Sequence, residues 1–398
     1  MKNFRICLLV NILLLCVSCS NNEILKSDEF LIEGEISGID NKTVIELYRW
    51  GGDAGSRLAT VKVKNGRFVL KEKTVTDLER LTIMSNGNGF PNMSLGVWVM
   101  PGTRIEIKGT GKQIPAWEVI SSVPYQIEEN CYTEKSRDII TENSRLAAEI
   151  VDLRKKRNAA SEIEALVYRN AIDSLETIRK SLTIKENYAN MEIMEKTDVS
   201  PVWIDKLYGV TARFSRPDYY AEYANDIRKK AEELYKRLSE EEKTTPIGYK
   251  ITSSLFPPDI VDIGDDMADA DLLDVDGNTK HISEYLGKYL LLDFWMSSCG
   301  PCIMALPEMK EISEIYSDKL TIISISLDVG AVWEKSLTEH NMPWVNFRDP
   351  KGAGGLAANY GVYGIPYYIL ISPDGKVVAK GSGYVKGALK SNASEYIK

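Results

Sequence analysis

Cysteine is scarce in this chain: six residues in 398, with Cys7, Cys16 and Cys19 crowded at the start and only Cys131, Cys299 and Cys302 beyond them. So few thiols exclude a disulfide-stapled scaffold. Histidine is scarcer still, with His281 and His340 alone. A zinc site built on a Cys-x-x-Cys pair would have to draw two further ligands from Cys131 and these two histidines, with no second Cys-x-x-Cys to close it. We therefore expect no metal. Positive charge is outnumbered, 49 Lys and Arg against 57 Asp and Glu, for a net charge of −8. Nucleic acid is an unsuitable partner for such a surface. The apolar run from Ile6 to Val17 is too short for an ordinary membrane span.

What is present is Cys299-Gly300-Pro301-Cys302, between an apolar strand pattern, Tyr289 to Trp295, and a helical pattern that contains Pro307. Two thiols three positions apart at a helix start can exchange electrons as a dithiol and a disulfide. A helix N-terminus carries about half a positive charge on its unsatisfied N–H groups, which favours thiolate over thiol at Cys299. That thiolate would attack a substrate disulfide, and Cys302, one turn along, would resolve the mixed disulfide by attacking Cys299. Gly300 leaves the first sulfur open, and Pro301 suits the first helical turn, where no N–H is needed. A static structural disulfide is the alternative, although so short a loop constrains the unfolded chain little.

Asp293-Phe294-Trp295 ahead of the dithiol, and Gly364-Ile365-Pro366 ahead of the strand pattern Tyr367 to Ile371, resemble the thioredoxin superfamily, in the branch of TlpA and ResA. The resemblance covers about residues 257–398. It implies a thioredoxin-like α/β fold in which Cys299 is the nucleophile and Cys302 the resolving thiol. It also implies that Asp293 is a buried proton acceptor for Cys302, with local hydrogen bonding in the strand as its alternative use. By the same resemblance Pro366 is a cis proline facing the disulfide, and Ile365 offers its backbone to an incoming peptide. Trp295 is grouped with Ile365 and Pro366 as substrate-binding, with packing beneath the dithiol as its other use. No cofactor is implied beyond the redox-active Cys299–Cys302 pair. Three positions depart from the pattern: Ala305 where relatives usually carry glutamate, Ser298 where thioredoxins have tryptophan, and Met267-Ala268-Asp269-Ala270 where relatives read Ala-Pro-Asp-Phe.

At the other end, Lys2 and Arg5 precede the apolar run, and Cys16-Val17-Ser18-Cys19-Ser20 follows it. This resembles a bacterial lipoprotein signal, residues 1–18, with Cys19 as the lipidated residue and 19–29 as a tether. A cleaved secretory peptide or an uncleaved anchor is the alternative. The resemblance implies a lipid-anchored envelope protein facing the periplasm, on the outer membrane ahead of the inner, with surface exposure as a further placement. Cys131 is then a leftover thiol that behaves as a small hydrophobe.

Length and pattern divide the rest. Residues 30–127 alternate with period two, in Thr43 to Trp50, in Val61 to Phe68 around Asn65-Gly66, and in Leu95 to Lys108 around Pro101-Gly102, which predicts an antiparallel β-sandwich or small barrel. The segment resembles the β-rich domain found ahead of thioredoxin-like domains in Bacteroidetes lipoproteins. Its aromatics Tyr48, Trp50, Trp98 and Trp117 suit core packing before a ligand face. Residues 128–250 turn helical: Leu146, Ile150, Leu153, Ile163, Leu166, Ala171, Leu175 and Ile178 recur at three and four positions and predict an antiparallel helical hairpin with solvated charged faces, open to use as a spacer or dimer contact. A further charged helical run starts at Pro217-Asp218. Thr244 to Pro258, with Pro246, Pro257 and Pro258, reads as a linker.

The expected protein is multidomain and enzymatic: a thiol-disulfide oxidoreductase that reduces exported proteins and is itself re-reduced by a membrane electron donor. A binding lipoprotein with a non-essential thioredoxin-like domain is the alternative. A thiol peroxidase stands third, because the peroxiredoxin pattern needs threonine where this chain has Met296.

Overall fold

The computed structural model describes residues 25–51, 54–85, 89–214, 224–328 and 330–397. The signal-like segment, Cys19 and Pro217-Asp218 lie outside them. The chain divides into two compact units: the residues up to Arg49 with Arg57–Lys206, and Trp50–Ser56 with Leu207–Lys398.

The first unit opens with β1 (Glu29–Ser37), β2 (Val44–Gly51), β3 (Ala54–Lys62), β4 (Arg67–Lys73), β5 (Glu79–Met84), β6 (Leu95–Val99), β7 (Arg104–Thr110) and β8 (Glu118–Ser121). They form two four-stranded sheets, ordered β4-β1-β7-β8 and β3-β2-β5-β6. Inward residues of both, among them Phe30, Ile32, Ile45, Leu47, Ile83, Val97, Ile105 and Ile107, share one apolar cluster. Two expectations are corrected. Neither sheet closes into a barrel, and the pairing is not antiparallel throughout, since β1 runs parallel to β7 with Ile32 beside Ile105. Asn65 and Gly66 do take positive φ, 51° and 76°, as a tight turn requires, yet they carry the chain from one sheet to the other. Pro101-Gly102 does the same between β6 and β7. A turn that switches sheets lets successive strands face each other across the core instead of pairing.

Helix α1 (Pro124–Lys135) docks on this unit by polar contacts: Trp98 N–H donates to Gln126 Oε1 at 2.9 Å and Asn130 Nδ2 to the Val119 carbonyl at 2.7 Å. Trp98 and Trp117 are buried, whereas Trp50 is 48% exposed. Helices α2 (Arg137–Ala159) and α3 (Glu162–Met194) form the expected hairpin, pinned by Arg179 Nε donating to Asn143 Oδ1 and by the Arg154–Glu176 ion pair. The buried stripe is shifted from the predicted one. Leu146, Ile150 and Ile172 are buried, but Ile163, Leu166 and Ile178 are 82%, 52% and 48% exposed, because two long helices bury only the surface that meets a neighbour.

Helices α4 (Pro201–Thr211), α5 (Ala224–Tyr235), α6 (Glu240–Lys243) and α7 (Pro246–Leu255) follow. Helix α7 occupies the segment read as a linker. Pro246 sits in its first turn, where a missing N–H costs nothing, and the Thr245 hydroxyl caps Gly248 N–H at 3.1 Å. The remaining elements are β9 (Leu272–Leu273), β10 (Thr279–Lys280), β11 (Tyr289–Trp295), α8 (Gly300–Ile315), β12 (Leu320–Ser326), α9 (Gly330–His340), β13 (Val345–Arg348), α10 (Leu356–Asn359), β14 (Tyr367–Ile371), β15 (Val377–Ser382) and α11 (Ala388–Tyr396). They build one mixed sheet, β10-β9-β13-β12-β11-β14-β15, with β11, β12 and β13 parallel at its centre. Alternate residues of the central strands serve opposite faces. Leu292, Phe294, Ile323 and Ile369 pack with α10, while Leu291, Ile322 and Leu370 pack with α8 and α11. Burial on both faces explains why β11 reads as an apolar run interrupted only by Asp293.

Candidate active site

The dithiol lies beyond the C-terminal end of β11, where loops gather at the carboxyl ends of parallel strands. Asp328 builds the platform beneath it. Its carboxylate accepts from Ser297 N–H at 2.8 Å, from the Ser297 hydroxyl at 3.3 Å and from the Ser326 hydroxyl at 3.1 Å. Leu327 N–H bonds the Trp295 carbonyl at 3.1 Å, and Cys299 N–H bonds that of Met296 at 3.1 Å. Chain reversal after β11 is thus fixed on both sides, and α8 starts at one defined residue.

That residue is Cys299, the N-cap of α8, whose Sγ accepts from Cys302 N–H at 3.2 Å. Sulfur occupies the place a serine or aspartate oxygen commonly takes at a helix start, so the unsatisfied amides favour negative charge there. Cys299 and Cys302 are joined as a disulfide, S–S 2.03 Å. Their surroundings differ: Cys299 is half-buried, and Cys302 is only 3% exposed. Cys302 packs with buried Trp295, Trp333 and Met342, and Cys299, Ile365 and Trp344 border the same cluster. The Ile365–Pro366 bond is cis. Gly364 and Tyr363 beside it are exposed, and so is Met304 on α8, two residues after Cys302.

Asp293 lies in mid-strand, 2% exposed. Burial pushes its carboxyl up to about 7, and the Ser324 hydroxyl, donating to Oδ2 at 2.8 Å, holds it back from rising further. Trp344 Nε1–H donates in turn to Ser324 Oγ at 2.8 Å. On the antiparallel side Tyr368 pairs with Asp293, its Oη buried without a partner and its pKa pushed up by burial and by the Asp293 charge. A carboxyl that titrates near neutrality is suited to receive a proton.

The departures from the family pattern are also accounted for. Ala305 is fully buried among Met309 and Ile312, a site with no room for a charge. Glu308, one turn on, accepts from the Gly387 and Lys390 amides at 2.8 and 2.9 Å and caps α11. Ser298 is exposed, and Met267, Ala268 and Ala270 pack on the apolar cluster beneath the sheet. Cys131, far along the chain in α1, is half-buried and its Sγ donates to the Ile127 carbonyl at 3.5 Å. Asp328, Ser324 and Trp344 carried no spacing signal in the sequence; their roles come from contacts across strands.

Comparisons with known proteins match the C-terminal part of the chain. The AhpC/TSA family model matches residues 263–380. The thiol-disulfide oxidoreductase ResA of Bacillus thuringiensis subsp. konkukian is 27% identical over 155 residues, 38% of this chain and 87% of that one. Chloroplastic thioredoxin X of Arabidopsis thaliana is 34% identical over 108 residues, 27% of this chain and 46% of that one. Among solved structures, the thioredoxin domain of a thiol-disulfide oxidoreductase from Bacteroides vulgatus aligns at 25% identity and a TM-score of 0.33, over 35% of this chain and 99% of that chain. The C-terminal part of this protein is similar to the AhpC/TSA family and to thiol-disulfide oxidoreductases of the ResA type.

Proposed function

We propose that the protein is a thiol-disulfide oxidoreductase of the cell envelope, anchored through Cys19, that reduces disulfides of exported proteins with its Cys299/Cys302 dithiol. The observation that carries the reading is the asymmetry of the pair: a half-exposed sulfur at a helix N-terminus with a buried sulfur behind it. In the reduced enzyme the Cys299 thiolate attacks one sulfur of the substrate disulfide, and the other leaves as a thiolate. Cys302 gives its proton to Asp293 and attacks Cys299 Sγ. The Cys299–Cys302 disulfide forms and the second substrate sulfur departs. Two electrons pass to the substrate, whose two thiolates take up two protons. Ile365 and Pro366 would receive the substrate chain, with Trp295 packing beneath. A membrane dithiol donor would return the enzyme to its reduced form.

The test is Cys302→Ser in the full chain, expressed with its own N-terminus and quenched with acid before non-reducing electrophoresis. Stalled at the first step, the variant should accumulate covalent partners that dissolve on reduction. If none form, while the variant remains folded, the oxidoreductase reading fails. The weight would then move to a binding lipoprotein, favoured by a cavity of about 330 Å³ in the first unit lined by Arg80, Gln126, Glu129, Asn130 and Lys206. Peroxidase chemistry stays third, since Met296 offers no hydroxyl three residues before Cys299.

A further inference from the structure

We propose that Ser324 and Trp344 are positioning residues for Asp293: they hold Oδ2 as a permanent hydrogen-bond acceptor and so reserve Oδ1 for the proton exchanged with Cys302. The inference rests on the reading of Asp293 as proton acceptor of the dithiol.

The argument is one of donor and acceptor inventory. An indole N–H can only donate, and a serine hydroxyl has one proton to give. Trp344 Nε1 lies 2.8 Å from Ser324 Oγ, which lies 2.8 Å from Asp293 Oδ2. Trp344 therefore fills an acceptor site on Ser324, and the Ser324 proton points at Asp293. The chain cannot reverse, because its far end has no acceptor. A proton placed on Oδ2 would weaken its bond from Ser324, because the hydroxyl oxygen of an acid accepts less well than its carbonyl oxygen. Oδ1 meets no such donor among the described residues, so the neutral acid carries its proton there.

The surroundings leave this chain unopposed. Ser324 is fully buried, as are the nearby Ala305 and Met309 of α8. The titratable groups around Asp293 and its neighbour Tyr368 include Cys302 and Glu308 of α8 and Tyr384, and Glu308 is held as a carboxylate by the Gly387 and Lys390 amides. Burial and the Asp293 charge keep Tyr368 protonated through the neutral range. Among the described residues no Lys, Arg or His acts on Asp293; burial raises its pKa and the Ser324 hydrogen bond opposes it. Trp344 also borders the cluster that holds Cys302, so the same side chain touches the sulfur environment and orients the acid. The sequence hides this arrangement because Ser324 and Trp344 stand 31 and 51 positions after Asp293 and belong to different strands or loops.

The test is the pH dependence of disulfide reduction by the full-length protein, compared among wild type, Asp293→Asn, Ser324→Ala, Ser324→Thr and Trp344→Phe. Asp293→Asn should abolish the ionisation near neutrality. Ser324→Ala should move that ionisation up by about one pH unit, the loss expected for one hydrogen bond to a charged group. Trp344→Phe should move it in the same direction by less, because a Ser324 hydroxyl no longer polarised by the indole N–H donates more weakly to the carboxylate. Ser324→Thr, which keeps the hydroxyl, should restore the wild-type position. If Asp293→Asn abolishes the ionisation but Ser324→Ala and Trp344→Phe leave it in place, the positioning roles are overturned and Asp293 stands. If the ionisation survives in Asp293→Asn, the acceptor reading itself falls and the inference with it.

Discussion

Replacing Asp293 by Asn should make the oxidised protein gain stability relative to wild type as pH rises. The carboxyl is 2% exposed and its pKa is raised from 3.8 to about 7, chiefly by burial. Because the folded-state value is the higher one, the folded chain keeps a proton that the unfolded chain has shed between about pH 4 and 7, and stability falls as pH rises through that window. The linkage relation puts the cost at about 1.5 kcal/mol at pH 5 and about 4 kcal/mol at pH 8. Wild type should therefore lose about 2.5 kcal/mol relative to Asp293→Asn between these pH values. Hydrogen-bond and packing costs of the asparagine are constant and cancel in that comparison, as do other titrating groups. Urea unfolding of the oxidised full chain at several pH values, followed by tryptophan fluorescence from Trp295, Trp333 and Trp344, gives the difference directly. With the cysteines held as a disulfide, no thiol titrates. Wild-type and variant curves that run parallel from pH 5 to 8 would refute the claim that Asp293 titrates inside the fold.

Two further outcomes follow from packing and capping. A Cβ on Gly354 would lie 2.6 Å from the Tyr249 carbonyl carbon, so Gly354→Ala should force helix α7 off this turn and lower the melting temperature of the second unit, whereas Gly381→Ala, with open space around it, should not; differential scanning calorimetry distinguishes them. Although burial pushes the Glu308 carboxyl up, the Lys390 and Gly387 amides outweigh it and hold the pKa below the ordinary range. Glu308→Ala should cost about 1–2 kcal/mol at neutral pH. That contribution is present above the unfolded carboxylate pKa and lost as pH falls through the folded one, so chemical unfolding should show the penalty shrinking in acid.

Much of the second unit was legible because its signals are local. Cys299 at a helix start, with Pro301 in the first turn, follows from chain stereochemistry within four residues, and the apolar run of β11, broken only by Asp293, already implies a strand covered on both sides. Local signals misled where the same chemistry serves two ends. Pro246 reads as a break, yet proline is welcome at the first position of a helix, so the expected linker is α7. Asn65-Gly66 builds the same tight turn whether the flanking strands pair or part into different sheets.

The sequence by itself determined the dithiol, the strand before it, the helix after it and the two long helices, because these depend on spacing and on residues close in the chain. Tertiary structure alone decided which faces meet. It turned Ile163, Leu166 and Ile178 outward, set β1 parallel to β7, and brought Ser324 and Trp344 to Asp293. Pairing across strands and the loss of water around a carboxylate are properties of the assembled core, and no stretch of chain carries them before the core forms.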